Sequence, residues 1–117
     1  MGYHTAYSLE VQNATKEQLD SVLAFLGDRG VIGYALDEEF GCCDTVNWYD
    51  HDEDMIAASN RFPNILFCLH GEGENNGDLW NKYYYSGKMQ ECYAEIIYPE
   101  FDPQKLHTLS SSFFKKL

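Results

Sequence analysis

The segment "TKEQLDSVLAFLG", residues 15–27, constrains the fold most, because its pattern fits one kind of element only. Thr15 and Gln18 have the spacing of a capping box, in which each side chain satisfies a backbone N–H at the start of a helix. From Leu19 onward, Leu and Val recur at i, i+3, i+4 and i+7, which places them on one helical face. Gly27 is typical of the residue that ends a helix. The sequence therefore predicts an amphipathic helix over residues 15–27.

Strand patterns and one further helix pattern surround this segment. Residues rich in Tyr, Thr, Val and Ile, which favour strands, occupy three ranges: 3–11, 31–36 and 45–49. The last two ranges flank an acidic loop and predict a hairpin. Residues 50–63 predict a second helix, with Asp50 or Asp52 as its cap, acids in its first turn and Pro63 at its end. Its buried side is predicted to carry Met55, Ile56, Ser59 and Phe62.

The C-terminal half predicts a strand, a hairpin and a helix. Residues 64–74 form the strand, which runs into a glycine-rich acidic turn. The segments "LWNKYYY" and "MQECYAEIIY" are predicted to pair as a β-hairpin with Gly87 in its turn. The final helix has Asp102 as its cap and Pro103 at its first position. Its apolar side is predicted to carry Leu106, Leu109 and Phe113.

These elements indicate an α+β domain that spans residues 1–117. The first six have the order β-α-β-β-α-β, which is typical of the ferredoxin-like fold, an antiparallel sheet with helices on one face. The C-terminal β-hairpin and helix would add to that sheet. Trp48, Trp80 and alternate tyrosines are predicted to pack in the core.

The net charge of −11 is concentrated in the middle of the chain. Residues 30–81 contain eleven acids and one base, Arg61, whereas the remaining residues carry eight acids and seven bases. Self-repulsion on this scale destabilises a compact state, so a compensating use of the charge is expected. Direct binding to nucleic acid is disfavoured, because so acidic a chain has little with which to displace counterions from a phosphate backbone.

Other features indicate an intracellular setting. No window reaches the length of a membrane span, and the N-terminus lacks the pattern of a signal peptide. Ala6 replaces the Ser or Thr that a myristoylation signal beginning at Gly2 requires. The four cysteines are expected to be reduced thiols, because Cys68 and Cys92 lie in apolar alternation. We therefore expect a soluble cytoplasmic protein, as a monomer or a homodimer.

Metal and catalytic alternatives remain open. The segment "EGENNG" resembles the start of a calcium loop, but Tyr83 stands where the bidentate Glu is needed. Glu72 and Glu74 are the candidate carboxylate pair for general acid–base catalysis, with His70 beside them. The same glycine-rich loop does not suit a phosphate, because it holds acids and no lysine. We expect no cofactor and no metal, and keep a divalent-metal-binding or small hydrolytic protein using Glu72 and Glu74 as the alternative.

Aromatic residues adjoin the acids in "NWYDHDED" and "LWNKYYY". Tyr and Trp dominate the anchors of protein interfaces, and an acidic surround suits a basic partner. Between Trp48 and Asp102 the chain resembles small acidic phage-encoded inhibitors of bacterial nucleases, including anti-CRISPR proteins, several of which mimic DNA. It is also loosely similar to YubB-type ferredoxin-like domains. The resemblance implies the ferredoxin-like fold, a phage setting and a counter-defence role, and it carries no catalytic motif.

The expected function is therefore that of an inhibitor, with no enzymatic activity, which blocks the basic nucleic-acid-binding cleft of a host defence nuclease in the bacterial cytoplasm. The expected partner-binding residues are the aromatics and acids of the charged middle region: Asp37, Glu38, Glu39, Trp48, Tyr49, Asp50, Asp52, Glu53, Asp54, Glu72, Glu74 and Asp78. Asp50, Asp52, Glu53 and Asp54 are also expected to charge the start of the second helix.

Overall fold

A computed structural model describes residues 2–109 of the chain. Its elements, in chain order, are β1 (Thr5–Gln12), α1 (Lys16–Asp28), α2 (His51–Arg61), β2 (Leu66–Gly73), β3 (Leu79–Tyr85), β4 (Lys88–Tyr93) and a 3₁₀ turn (Pro103–Lys105). The four strands form one antiparallel sheet in the order β1-β2-β3-β4. Both helices lie in the connection between β1 and β2. The predicted α+β class is confirmed, with strands in a simple meander.

The ferredoxin-like order is not confirmed, because the two predicted middle strands do not form. In residues 31–36 the carbonyl of Val31 accepts hydrogen bonds from the N–H groups of Ala35 and Leu36, at 3.0 and 3.2 Å. Gly33, with φ of +87°, lets the chain turn back within this short segment. Val31, Ala35 and Leu36 are all buried. The apolar run is therefore a tight turn that packs into the core.

The second missing strand, residues 45–49, contacts the sheet at one position only. Thr5 and Val46 form an isolated antiparallel bridge, with both of their backbone hydrogen bonds in place. Two residues later the side chain of Trp48 packs edge-on against Tyr7, with ring centroids 5.2 Å apart. Burial of the Trp48 indole thus competes with strand pairing, and the chain leaves the sheet edge to start α2.

The capping box at the start of α1 is confirmed. The Thr15 hydroxyl accepts from the Gln18 N–H at 3.2 Å, and the Gln18 side chain accepts from the Thr15 N–H at 2.8 Å. The prediction that Gly27 ends the helix is wrong, since α1 continues to Asp28 and Arg29 is its C-cap. Gly30, with φ of +82°, takes the left-handed position beyond the cap.

Helix α2 is confirmed and begins at His51, with Asp50 in the N-cap position but without a side-chain capping hydrogen bond. Asp52 lies inside the first turn instead of capping it. The hydroxyl of Ser59 accepts from the Gly87 N–H at 2.9 Å, which ties the C-terminal end of α2 to the β3–β4 turn. The N-terminal end of α2 therefore lies toward the opposite end of the sheet, where β1 begins.

One face of the sheet is covered by the helices. Tyr7 and Leu9 of β1, Phe67 and Leu69 of β2 and Tyr84 of β3 point into a single hydrophobic core. Helix α2 packs on this face and α1 packs against α2. Trp48 and Trp80 are both buried, as predicted, and the tyrosines of β3 alternate as predicted, with Tyr84 inside and Tyr85 outside.

The last strand is shorter than predicted. Strand β4 ends at Tyr93, which pairs with Trp80, and the Ala94 N–H then bonds the carbonyl of Leu79, the first residue of β3. Beyond that point β3 offers no further residue to pair with. Residues 94–109, here called the C-terminal arm, continue without sheet pairing and expose their large apolar residues: Ile96, Ile97, Tyr98, Phe101, Leu106 and Leu109.

Within the described residues, the start of the predicted C-terminal helix forms the 3₁₀ turn, and Leu109, the last described residue, is again helical. The start of the turn is as expected, because the Asp102 side chain accepts from the Gln104 N–H and Pro103 occupies the first turn. The turn ends at Leu106. Phe113, the last residue of the predicted apolar side, lies outside the described residues.

Candidate functional site

A pocket of about 320 Å³ opens at the end of the sheet where β1 begins. Six aromatic side chains line it and define what we call the aromatic pocket: Tyr3, Tyr7, Trp48, Tyr49, Trp80 and Tyr93. Tyr7, Trp48 and Trp80 are buried and form its inner part, whereas Tyr3, Tyr49 and Tyr93 are exposed and surround its mouth. Its size and aromatic lining are those of a small-ligand or side-chain site.

The register of the sheet creates the inner part of the pocket. Gly71 of β2 pairs with Tyr7 on one side and with Trp80 on the other. A Cβ atom at Gly71 would come within 2.1 Å of the Trp80 ring. The missing side chain thus lets the indole lie across the middle strand, where it reaches an edge-to-face contact with Tyr7 at 6.0 Å.

His51 and Lys82 meet at the bottom of the pocket. The Lys82 ammonium nitrogen lies 2.9 Å from Nε2 of His51, while Nδ1 of His51 lies 2.9 Å from the carbonyl oxygen of Trp48. An ammonium group can only donate, so Nε2 accepts and Nδ1 carries the hydrogen that bonds Trp48. The His51 ring stacks on Trp80 at 5.3 Å, which fixes its orientation.

Lys82 is a buried cation, 5% exposed, on the core-facing side of β3. Besides His51, its ammonium lies 3.4 Å from Asp52 and 3.6 Å from Glu91, and it sits 4.8 Å from the centre of the Trp80 ring. The ammonium thus has hydrogen bonds to His51 and Asp52 and an ion pair with Glu91. Burial of the charge is compensated by carboxylates that are themselves 41% and 47% exposed.

Asp52 also accepts a hydrogen bond from Tyr84. The Tyr84 hydroxyl lies 2.7 Å from Oδ1 of Asp52, and the ring is fully buried. Burial, reinforced by the neighbouring Asp52 carboxylate, raises the pKa of Tyr84 far above its ordinary range. Tyr84 therefore remains a hydrogen-bond donor to Asp52 at all physiological pH values.

Asp54 fixes the second tryptophan of the pocket. One carboxylate oxygen accepts from the Trp48 indole N–H at 2.7 Å, and the other accepts from the Arg29 guanidinium at 2.9 Å. Arg29 follows α1, so this bridge ties the two helices together. Asp54 is thereby used internally, and Arg29 is the base that balances its charge.

Two of the mouth tyrosines also donate to carboxylates. The Tyr3 hydroxyl donates to Asp78 and accepts from the Asn75 N–H, and the Tyr93 hydroxyl donates to Glu91 at 2.9 Å. The hydrogen bond to Asp78 raises the pKa of Tyr3, and the hydrogen bond to Glu91 raises the pKa of Tyr93. Both phenols therefore hold their protons toward carboxylates, and both residues line the pocket.

The structure brings one group of the predicted partner-binding acids to this end of the sheet. Thr5 pairs with Gly73 and bridges to Val46, so the end of β2, the 74–78 loop and the start of α2 surround the pocket mouth. We call the carboxylates at this end of the sheet the acidic end: Asp50, Glu53, Glu72, Glu74 and Asp78, together with Asp44, which was not among the predicted residues. Glu72 alternates with Gly71 along β2 and therefore lies on the sheet face opposite the pocket. Within the acidic end, Glu74 accepts from the His4 N–H.

The other predicted partner-binding residues have separate positions. Asp37, Glu38 and Glu39 lie in a turn beside β1, where the Phe40 carbonyl accepts from the Leu9 N–H. The Asp37 side chain closes this turn by accepting from the N–H groups of Glu39 and Gly41. Asp52 and Asp54 are taken up by internal contacts, Trp48 is 5% exposed, and Tyr49 is 80% exposed at the pocket mouth.

The alternative site at Glu72 and Glu74 has few neighbours that suit catalysis. Glu72 lies 4.0 Å from His70 and is more than half exposed, and Glu74 follows the end of β2. Among the described residues, no three His, Cys, Asp or Glu side chains are grouped so as to hold a metal ion. The four cysteines are free thiols, with Cys42 and Cys43 exposed.

Sequence reasoning did not identify six residues that line the pocket: Tyr3, Tyr7, His51, Trp80, Lys82 and Tyr93. One feature of the sequence did indicate that Lys82 faces the core. In "LWNKYYY" the lysine shares its strand face with Trp80 and Tyr84, so alternation places a charge on the core side. Lysine is almost never fully buried without a partner, so this placement predicts acceptors nearby. The identity of those acceptors, on α2 and β4, required the tertiary structure.

Comparison with protein-family models, curated proteins and solved structures finds no match to this chain. Among residues 2–109, no helix combines the length and apolar character needed to cross a bilayer.

Proposed function

We propose that the protein is an inhibitor that binds a basic protein partner through the acidic end and the aromatic pocket. Its target would be the nucleic-acid-binding cleft of a bacterial defence nuclease, which the chain occupies as a DNA mimic. The resemblance to phage-encoded anti-CRISPR inhibitors motivates this class of target. The setting would be the cytoplasm of the bacterial host.

The observation that carries the proposal is the lack of cationic neighbours at the acidic end. Arg29 is bound to Asp54, and Lys82 is buried between Asp52 and Glu91. Within residues 2–109, no Lys or Arg lies within ion-pair distance of any carboxylate of the acidic end. These charges therefore repel one another in the isolated protein, and a basic partner would relieve that repulsion.

The acidic end is also continuous with the turn at Asp37–Glu39 along one edge of β1. Val46 contacts Thr5 and Phe40 contacts Leu9, so the two acidic groups attach to β1 four residues apart. At about 3.3 Å per residue, this separation is about 13 Å. A cleft that tracks a nucleic-acid backbone presents basic groups over such distances, and complementary charge accelerates and orients docking.

Charge reversal with a matched control tests the proposal. The triple variant Asp50→Lys, Glu53→Lys, Glu72→Lys changes three exposed carboxylates at the acidic end. The control Glu17→Lys, Asp20→Lys, Asp28→Lys makes the same change in net charge on α1, whose three acids are also exposed. Each tagged protein is incubated with nuclease-treated bacterial lysate, and bound proteins are released by salt steps or by duplex DNA.

The proposal predicts that the natural protein and the control retain a nucleic-acid-binding protein, which duplex DNA displaces and high salt releases. The acidic-end variant should not retain it. A bound protein that resists duplex DNA, or that both variants retain equally, would contradict the DNA-mimic function.

A further inference from the structure

The aromatic pocket offers ring faces and acceptors, and several of the hydrogen-bond donors around it are already bound to carboxylates. The phenols of Tyr3 and Tyr93 donate to Asp78 and Glu91, and the buried phenol of Tyr84 donates to Asp52. The Trp48 indole N–H is held by Asp54. A ligand that needs donors from the protein, such as a phosphate or a carboxylate, would therefore find none of these groups available.

Lys82 does not make the pocket suitable for an anion, although it carries a positive charge. Its ammonium is bound to His51 and Asp52 and forms an ion pair with Glu91, and Asp78, which lines the pocket, adds a further negative charge. His51 offers no donor to the pocket either, because its Nδ1–H bonds the Trp48 carbonyl and its Nε2 accepts from Lys82. An anion would be repelled, whereas a cation would be attracted.

We infer that the aromatic pocket binds the guanidinium group of an arginine side chain, supplied by the basic partner. This inference rests on the proposed function, because it names the residue with which that partner would enter the site. The exposed rings of Tyr3, Tyr49 and Tyr93 supply the faces on which a planar cation stacks, and Asp78 supplies a carboxylate at the mouth.

Arginine fits the pocket better than lysine for two reasons. A guanidinium is flat and weakly hydrated, so it can stack between aromatic rings with a small loss of solvation. It also presents several donors at once, which match the phenol oxygens and the Asp78 carboxylate. The volume of about 320 Å³ leaves space for one such side chain and its aliphatic stem.

The tryptophans of the chain can report the binding of a ligand in the aromatic pocket. It contains two tryptophans, Trp48 and Trp80, and both line the aromatic pocket. Intrinsic fluorescence and the two indole N–H signals in a ¹H–¹⁵N spectrum therefore report on the pocket without a label. The probe is acetyl-Gly-Arg-Gly-amide, compared with the same peptide carrying lysine or citrulline, which has the shape of arginine but no charge.

We expect saturable changes with the arginine peptide, with binding about tenfold tighter than for citrulline and weaker binding for lysine. Tyr49→Ala and Asp78→Asn should each weaken arginine binding severalfold. Tyr85→Ala, which removes a half-exposed tyrosine at the opposite end of β3, should leave it unchanged. Equal binding of citrulline and arginine, or no response to any peptide, would overturn the inference.

The peptide titration is independent of the partner. If arginine binds while no nucleic-acid-binding protein is retained from lysate, the pocket assignment holds and the proposed function fails. If a DNA-displaceable protein is retained while the arginine peptide has no effect, the proposed function holds and the pocket assignment fails.

Discussion

The ammonium nitrogen of Lys82 lies 2.9 Å from Nε2 of His51, and both groups are held against the face of Trp80. Lys82 occupies a core-facing position of β3, so its charge is tolerated only because α2 brings Asp52 and β4 brings Glu91 within reach. Lys82 therefore belongs both to the lining of the aromatic pocket and to the core-facing side of the sheet.

Lys82→Ala is expected to lower the free energy of unfolding by about 2 kcal/mol. The change removes the packing of the aliphatic stem and leaves Asp52 without its cation, although the partial exposure of that carboxylate limits the loss. Lys82→Met keeps the stem and should cost about half as much. Urea unfolding followed by tryptophan fluorescence measures both, and a larger loss for Met than for Ala would contradict this account.

Tyr84 should make the protein sensitive to alkaline pH. Its pKa in the folded state is raised above the ordinary value of 10.0. The unfolded chain therefore loses this proton near pH 10 while the folded chain keeps it, so stability is intact below pH 10 and falls as the pH rises further. Tyr84→Phe should cost about 1 kcal/mol at pH 7 and flatten this decline.

The control for the loss of stability at alkaline pH is Tyr98→Phe. This variant removes the hydroxyl of a tyrosine that is 84% exposed. Thermal melts between pH 8 and pH 11 give the slopes for the natural protein and the two variants. An unchanged slope in Tyr84→Phe, or an equal change in Tyr98→Phe, would show that the Tyr84–Asp52 contact does not govern alkaline stability.

Gly71 should be far less tolerant of alanine than Gly27. A Cβ at Gly71 would overlap the buried Trp80 ring, and a shift of that ring would disturb its contacts with Tyr7 and His51, so Gly71→Ala should destabilise the protein by about 3 kcal/mol. Gly27 lies within α1 with nothing near its missing side chain, so Gly27→Ala should stabilise by up to about 1 kcal/mol. Melting temperatures that shift in the same direction would refute the contrast.

The C-terminal arm should be the first part of the chain cut by a protease. Its large apolar side chains are 57–84% exposed, and sheet pairing ends at Tyr93. Limited chymotrypsin digestion should cleave after Phe101 or Leu106 before any site in the sheet, because cleavage requires locally accessible backbone. Mass spectrometry of the first fragments identifies the sites, and an initial cut within residues 5–93 would contradict the prediction.

The sequence determined those elements whose signals are local. The capping box at Thr15 and the apolar stripe after it are complete within residues 15–27, so α1 was predicted almost to its bounds. Acids at the start of α2 and Pro63 after it likewise defined that helix. The hairpin around Gly87 was predictable because its turn residues lie between two alternating segments.

Only the tertiary structure decided what the apolar runs at residues 31–36 and 45–49 would become. Such short runs fit a strand or a buried turn equally well, and the choice depends on whether a neighbouring strand is free to pair. Here the outer edge of β1 pairs with residues 45–49 only at Val46, and the burial of Val31, Leu36 and Trp48 in the core fixes the two segments instead. The end of β4 at Tyr93 was likewise decided by the tertiary structure, because Tyr93 pairs with Trp80 near the first residue of β3.

The aromatic pocket combines residues from three parts of the chain that are far apart in sequence. Composition showed that the middle of the chain is acidic and aromatic, but it could not show that Asp52 and Asp54 face inward while Asp50 and Glu53 face solvent. That division depends on the rotation of α2 over the sheet, which is set by long-range packing of Met55 and Ala58 in the core. Local sequence determines charge, whereas tertiary packing determines which charges remain available to a partner.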